Sequence, residues 1–275
     1  MKCFYVEEYR VDADLENGAP AVYDAATNMA LDEYILDEAA DGTPYLRIYG
    51  FEQPAFVPSR RTSVDDVAGA AANGHEVTRR NTNGSTIPCL DNGVAYSVAY
   101  PTEKFPDRFF EENVAPALVD ALDAAGVETD RLNIGAKHDS IRYGDRETPG
   151  EAAPGKTLVG SSLWRKDDAV MAHGVVAAEP WDAEILDENM DLRPGEKRFV
   201  ESLPSLEEVS GYEEQRLVEG LVEGFTGGDY REAGLDVSEV EDLLDGKYRS
   251  DDWVFSGSET GRGHCFVEEE DGEFY

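Results

Sequence analysis

The sequence predicts an α+β fold rather than a doubly wound parallel sheet. Helical patterns are mixed with hairpin-like segments instead of alternating regularly with single strands. Two apolar, β-rich stretches, TLVGSSLW (Thr157–Trp164) and AVMAHGVVAA (Ala169–Ala178), flank the charged turn RKDD and read as a hairpin. A chain of 275 residues is long enough to bury a sizeable core as one large domain or two small ones.

The elements follow in order. Asp24 to Gly42 reads as a helix, with Asp24 as its cap, Leu31, Tyr34 and Ile35 as its apolar stripe and Gly42 as its stop. YLRIY (Tyr45–Tyr49) alternates as a strand, and AFVPS (Ala55–Ser59) is a second, placed at an edge or bulge by Pro58. Val64–Gly74 reads as a short helix stopped by glycine. HEVTRR then leads into the polar turn NTNGST, and VAYSVAYP (Val94–Pro101) is a further strand. A long helix spans Phe109–Gly126 with Phe110, Val114, Leu118 and Leu122 on one face; Pro116 kinks it or marks its start. Residues 142–155 read as a turn-rich loop. Ser205 and Glu208 form a capping box, and Leu217, Leu221 and Phe225 mark the helix beyond it. A short helix and an extended end close the chain. No internal repeat is present.

Composition narrows the setting. There are 59 acidic and 24 basic residues, net −35, with the acids scattered through amphipathic segments, which excludes an acidic tail as the source of the charge. Only seven residues are lysine. An acidic, lysine-poor surface suits multimolar salt, where self-repulsion is screened over about 3 Å at ~1 M. The charge also argues against nucleic acid as a partner. No apolar run reaches membrane-spanning length, no secretory signal is visible at the start, and the three cysteines (Cys3, Cys89, Cys265) have no metal-ligand spacing. A cytoplasmic protein with no metal site and no membrane partner is expected.

Residues 150–157, GEAAPGKT, match the phosphate-loop pattern G-x-x-x-x-G-K-[ST]. That loop needs a buried strand before it and a helix after it, because backbone N–H groups at a helix start cradle the phosphates. The polar RYGDRETP precedes it and LVGSSLWRKDD follows, a context that makes a P-loop NTPase the lesser alternative.

Lys156 also begins GKTLVGSSLWR (Gly155–Arg165), and this pattern does not stand alone. In order the chain shows NMALDEYIL (Asn28–Leu36), RRNTNGSTI (Arg79–Ile87), NGVAYSVAYP (Asn92–Pro101), GKTLVGSSLWR, AHGVV (Ala172–Val176), SLPSLEE (Ser202–Glu208) and KYRSDDW (Lys247–Trp253). The series resembles the lipoate–protein ligase family, within the biotin/lipoate ligase and octanoyltransferase superfamily, over about residues 24–255. The resemblance implies a mixed, mainly antiparallel sheet flanked by helices, with a catalytic domain over residues 1–235 and a C-terminal segment, 236–275, packed on it.

It also implies a reaction. Lipoate or octanoate is activated by ATP and magnesium to an acyl-adenylate. The acyl group then passes to a lysine of a lipoyl carrier domain of a 2-oxoacid dehydrogenase, or to the glycine-cleavage carrier protein. A monomer is expected. By the family pattern Lys156 is the catalytic residue, stabilising the anionic centre as a point charge. Arg79, Arg80, Asn83, Gly84, Ser85, Thr157, Gly160, Ser161 and His173 are the substrate-binding candidates.

Departures from the pattern are explicit. Asn83-Gly84-Ser85 stands where the family has three glycines. The family spacing K-x-x-G-S puts Thr157, not Lys156, at the in-register position, unless a bulge or the preceding loop absorbs the shift. Other readings remain open at single residues: Arg79 and Arg80 as surface arginines paired with acids, Lys156 as a loop lysine, His173 as a satisfied core histidine, Cys89 as a small buried hydrophobe. A non-catalytic homologue that binds an acyl ligand or carrier is the alternative function.

Overall fold

The computed structural model describes residues 8–90, 93–102, 108–135, 140–143, 156–180, 182–191, 205–210 and 212–256. Eight strands form one path in the order β12 (Tyr230–Glu232), β1 (Tyr9–Asp12), β3 (Tyr45–Phe51), β7 (Gly93–Pro101), β11 (Ala169–Ala177), β10 (Lys156–Arg165), β9 (Ser140–Tyr143) and β8 (Leu132–Gly135). A ninth, β2 (Ala21–Tyr23), pairs with the end of β3. From β3 to β8 every pairing is antiparallel, whereas β12, β1 and β2 join in parallel. A small second sheet has the order β5 (Glu76–Val77), β4 (Ala55–Val57), β6 (Ile87–Cys89).

Local chemistry accounts for the helices. In α1 (Ala25–Ala40), the Asp24 carboxylate accepts from Thr27 N at 2.6 Å, and Gly42 follows with φ of 102°. A 3-10 turn, Val64–Val67, runs into α2 (Ala68–Ala72). A π turn, Phe110–Val114, leads into α3 (Ala115–Ala124), so Pro116 sits in the first turn, where its missing N–H costs nothing. After α4 (Ala183–Asn189) comes α5 (Leu206–Ser210), held by the capping box. Ser205 N donates to Glu208 Oε2 at 2.9 Å, and Glu208 N donates to Ser205 Oγ at 3.3 Å. Beyond it, α6 (Glu214–Thr226) ends at Gly227 in the left-handed region.

Two layers cover the main sheet. On one face α3 and α6 bury Leu118, Leu221 and Phe225 against Tyr96, Val98, Val159 and Val170. Gly224 lets them approach: a Cβ there would lie 2.6 Å from the Ala117 carbonyl oxygen. On the other face sit α1, the small sheet and the end of the described chain. That end comprises a 3-10 turn (Val237–Val240), α7 (Glu241–Leu243), a π turn (Leu244–Tyr248) and α8 (Asp251–Ser256). Met29, Ala30, Val57, Tyr248 and Trp253 form the core there.

The mixed, mainly antiparallel sheet flanked by helices agrees with the expectation. Lys156 and Thr157 open a strand, not a helix, which also agrees and removes the P-loop reading. Two details do not. Arg142 and Tyr143 belong to β9 rather than a loop, and residues 144–155 lie outside those described. The end expected to be extended is helical through Ser256, because Trp253 and Val254 bury one side of a short helix against the core. The strands missed by sequence are short: β12 is three exposed residues and carries no alternation to read. Among the described residues no helix is long and apolar enough to cross a membrane.

Candidate active site

Pairing registers define the face of the sheet that carries the site. Across β10, β11, β7 and β3, Ser162 stands beside His173, His173 beside Ser97, and Ser97 beside Arg47. These side chains lie under α1, whose buried Asp32 is the hub of a polar network. Arg47 Nη1 donates to Asp32 Oδ1 at 2.6 Å, and its Nε lies 3.3 Å from Asp12 Oδ2. Its remaining donors reach the Asn28 carbonyl and side-chain oxygens, both at 3.0 Å, and its plane lies 4.3 Å from the Tyr49 ring centroid. Tyr49 donates its hydroxyl to Asp32 Oδ2 at 3.2 Å. Burial pushes the Asp32 carboxyl up, but the His173 hydrogen bond and the Arg47 charge outweigh it and hold it below the usual carboxylate range.

His173 connects this hub to the polar loop. Its Nδ1 is 3.0 Å from Asp32 Oδ2 and its Nε2 is 2.7 Å from Thr82 Oγ1. Thr82 Oγ1 also accepts from Arg80 Nε at 2.9 Å. Arg80 is buried, and its other donors reach the carbonyls of Val57 (2.7 Å), Asn83 (3.1 Å) and Ser85 (2.6 Å). Burial pulls its guanidinium down to about 10, which leaves it charged at neutral pH. Arg80 thus ties the loop Thr82–Ser85 into one shape. Gly84 completes that shape with φ of 115°, a conformation that strains any L side chain.

Arg79 is equally buried. Its Nε donates to the carbonyls of Trp253 and Val254, both at 3.1 Å, and its Nη1 to those of Ser59 (2.5 Å) and Thr62 (2.9 Å). Trp253 Nε1 returns a bond to the Arg79 carbonyl at 2.9 Å. Among the described residues neither arginine pairs with a surface acid. Both guanidinium groups are engaged by carbonyl oxygens, so in this structure they shape the loop rather than project from it.

The C-terminal segment closes on the same loop. Lys247 Nζ lies 2.9 Å from Glu33 Oε2 and 4.5 Å from the Trp253 ring centroid, and the Tyr248 hydroxyl donates to Glu33 at 2.7 Å. Asn81 Nδ2 donates to the Tyr248 hydroxyl. Burial raises the Glu33 carboxyl, but Lys247, Tyr248 and Lys166 more than offset it, so it lies below its ordinary value.

Strand β10 holds the remaining candidates. Thr157 pairs with Arg142 and Val159 with Ile141, which leaves Leu158 as the extra residue of a bulge. The bulge resets the alternation, so Thr157 shares the face of Gly160 and Ser162. The backbone of Lys156 pairs with Tyr143, a residue packed on the α3/α6 core. Ser161 also falls on that opposite face, its hydroxyl 2.6 Å from Tyr96 OH. Ser162, which the sequence reading passed over, takes the loop-facing position and donates to the Asn83 carbonyl at 3.2 Å. A Cβ on Gly160 would meet nothing within 4 Å, so the space above it is open, and the exposed loop Asn83-Gly84-Ser85 is joined to the same strand through Ser162.

A buried polar relay beneath a glycine-bearing loop, beside open space on a sheet face, is a candidate ligand site. The family model for the lipoyl protein ligase A/B catalytic domain matches residues 24–197, more than half the chain and the part that supplies this site apart from Asp12 and the segment from Lys247 to Val254. The chain belongs to that family.

Solved structures agree on the fold. This lipoyl ligase-family chain superposes on the bi-partite lipoate protein ligase of Thermoplasma acidophilum, a structure determined with work on its E2 lipoyl domain. The TM-score is 0.76 at 16% identity, over 94% of this chain and 99% of that one. It is similar to lipoate-protein ligase A bound with ATP (TM-score 0.70, 16% identity, 91% and 100%) and to P. falciparum LipL1 in complex with lipoate (0.65, 13%, 94% and 76%). No curated protein matches it by sequence.

Sequence reading missed Asp12, Asp32, Arg47 and Tyr49. A signal was present: Asp32 interrupts the apolar side of α1 between Leu31 and Ile35, and Arg47 is a lone cation in the strand YLRIYGF. Their partnership spans 15 residues and shows only when α1 lies on the sheet. Cys89 is buried, and burial pushes its thiol up, which disfavours a nucleophilic thiolate.

Proposed function

We propose that the chain is a lipoate–protein ligase-type acyltransferase. Its substrates are lipoate or octanoate, ATP and a lipoyl carrier domain of a 2-oxoacid dehydrogenase or the glycine-cleavage carrier protein. In the first step a carboxylate oxygen attacks the α-phosphorus of ATP, giving acyl-adenylate and pyrophosphate. In the second the carrier lysine amine attacks the acyl carbonyl, AMP leaves, the amine loses a proton and an amide forms.

The observation that carries this reading is the loop Thr82–Ser85, tied by Arg80 and by the Asp32–His173–Thr82 relay over the open space at Gly160. A tied loop with exposed residues beside an open sheet face can orient an acyl chain and present N–H groups to a developing charge. Structures of this fold include a ligase bound with ATP, one in complex with lipoate and a bi-partite ligase described together with its E2 lipoyl domain, which supports the substrate set. Arg79 and Arg80 would act by shaping the loop, with Asn83, Gly84 and Ser85 at the ligand rim. Thr157 and Gly160 would line the floor, and Lys156 is the cation the family pattern points to. Magnesium enters as part of the ATP substrate; among the described residues no group of three or more His, Cys, Asp or Glu is placed to hold a metal.

The test is direct. With the folded protein in high salt, lipoate or octanoate should trigger pyrophosphate release from MgATP and add one acyl mass to a carrier-domain lysine. No pyrophosphate and no acyl transfer with any donor would leave the chain as a binding homologue, a reading favoured by Thr157 in the floor position.

A further inference from the structure

The strand beside Thr157 carries a cation that the family pattern does not call for. Ser140 pairs with Gly160 and Arg142 with Thr157, so both β9 residues lie on the cleft face, next to the open space above Gly160. Directly opposed residues of an antiparallel pair have Cβ atoms about 4.5–5.5 Å apart, so the Arg142 side chain starts beside Thr157 on the same face. The backbone of Lys156 pairs instead with Tyr143.

The hydrogen bonding separates Arg142 from the other arginines of the site. Arg47, Arg79 and Arg80 spend their donors on protein carboxylates and carbonyls. Arg142 Nε is buried and makes no hydrogen bond among the described residues, and its neighbour Ser140, 3% exposed, has an equally unpartnered Oγ. Buried donors are almost always paired, because an unpaired one loses its hydration without return. Two such groups, adjacent on one strand and on the open side of the sheet, mark a place completed by a bound acceptor. A guanidinium beside a hydroxyl suits a phosphate or a carbonyl oxygen carrying developing negative charge.

We propose that Arg142, with Ser140 beside it, is the anion-binding arm of the cleft and holds the phosphate and carbonyl oxygens of the acyl-adenylate. It would supply the fixed charge that Thr157 lacks. The proposal rests on the ligase reading for the identity of the anion, but the anion site itself does not depend on turnover.

The test uses the full chain in high salt with Arg142→Ala, Arg142→Lys and Lys156→Ala. In pyrophosphate release with lipoate, Arg142→Ala should lower kcat about 100-fold or more, the usual scale for losing one donor to a developing oxyanion. Arg142→Lys should recover part of it, and Lys156→Ala should lose less than Arg142→Ala. Because Nε is unpaired in the structure, the melting temperature of Arg142→Ala should match or exceed wild type, which a purely structural arginine would not allow. Calorimetric titration with inorganic pyrophosphate gives the independent reading: wild type should bind it and Arg142→Ala should lose at least about tenfold in affinity. Activity of Arg142→Ala within about threefold of wild type, or unchanged pyrophosphate binding, overturns the proposal. If wild type binds pyrophosphate through Arg142 yet forms no adenylate with any acid, the anion site stands and the ligase reading fails.

Discussion

At the scale of single residues, the cleft rests on charges that the interior has paired completely. Asp32 receives Arg47, Tyr49 and His173, and removing it would leave the wholly buried Arg47 facing only Asp12. Breaking one partner out of a buried ion pair costs about 3–5 kcal/mol, so Asp32→Ala should lower unfolding free energy by that amount in denaturant titration. The pH dependence follows from the same residues. Asp24, Asp32 and Glu33 all have folded-state values below their ordinary ones. A depressed carboxylate contributes stability that is fully present above its unfolded value and lost as pH falls through the folded one. Their contribution should therefore be complete above about pH 5 and decline below about pH 4, where Asp32→Asn should flatten the acid limb of the stability curve. An acid limb unchanged in Asp32→Asn would mean the buried pair does not set it.

At the scale of elements, the segment Val237–Ser256 acts as a clasp on α1 and on the loop that follows β5. Trp253 is wholly buried, and its indole and backbone bracket Arg79 from both sides. Trp253→Ala should cost about 3–5 kcal/mol, the usual range for emptying a buried aromatic site. It should also loosen the loop Thr82–Ser85, seen as faster amide exchange there while α3 and α6 remain protected. Uniform loss of protection across the chain would show that the clasp holds the whole fold rather than the loop. Much at this scale was legible. The Asp24 cap, the Ser205–Glu208 box, Pro116 at a helix start and the β10–β11 hairpin are local, each specified within a few residues. The strands β8 and β9 were not legible, because three or four residues beside a polar run carry too little periodicity to separate strand from loop. The bulge at Leu158 was visible only as a condition: the spacing of Lys156 and Gly160 posed the question, and the pairing with β9 answered it.

At the scale of the whole molecule, the net charge of −35 has no local cause; it is spread over the surface. The screening length falls from about 10 Å at 0.1 M salt to about 3 Å at 1 M, so repulsion among these acids should fall steeply with salt. The melting temperature should rise by at least about 10 °C between 0.1 and 2 M sodium chloride, which at about 2–4 °C per kcal/mol for a chain of this size corresponds to roughly 2.5–5 kcal/mol of stabilisation. A flat salt response would remove the halophilic reading without touching the fold. By itself the sequence determined the α+β class, the family likeness and the locations of most helices. Those properties follow from hydrophobic period, caps and ordered motifs, which are read along the chain. Only the tertiary structure decided which face each residue of β9 and β10 occupies, that Arg79 and Arg80 are internal ties, and that Asp32, Arg47 and His173 form one network. Face and partnership depend on strand register and on the packing of α1 against the sheet. Both are set by contacts between distant segments, and one bulged residue is enough to exchange the sides.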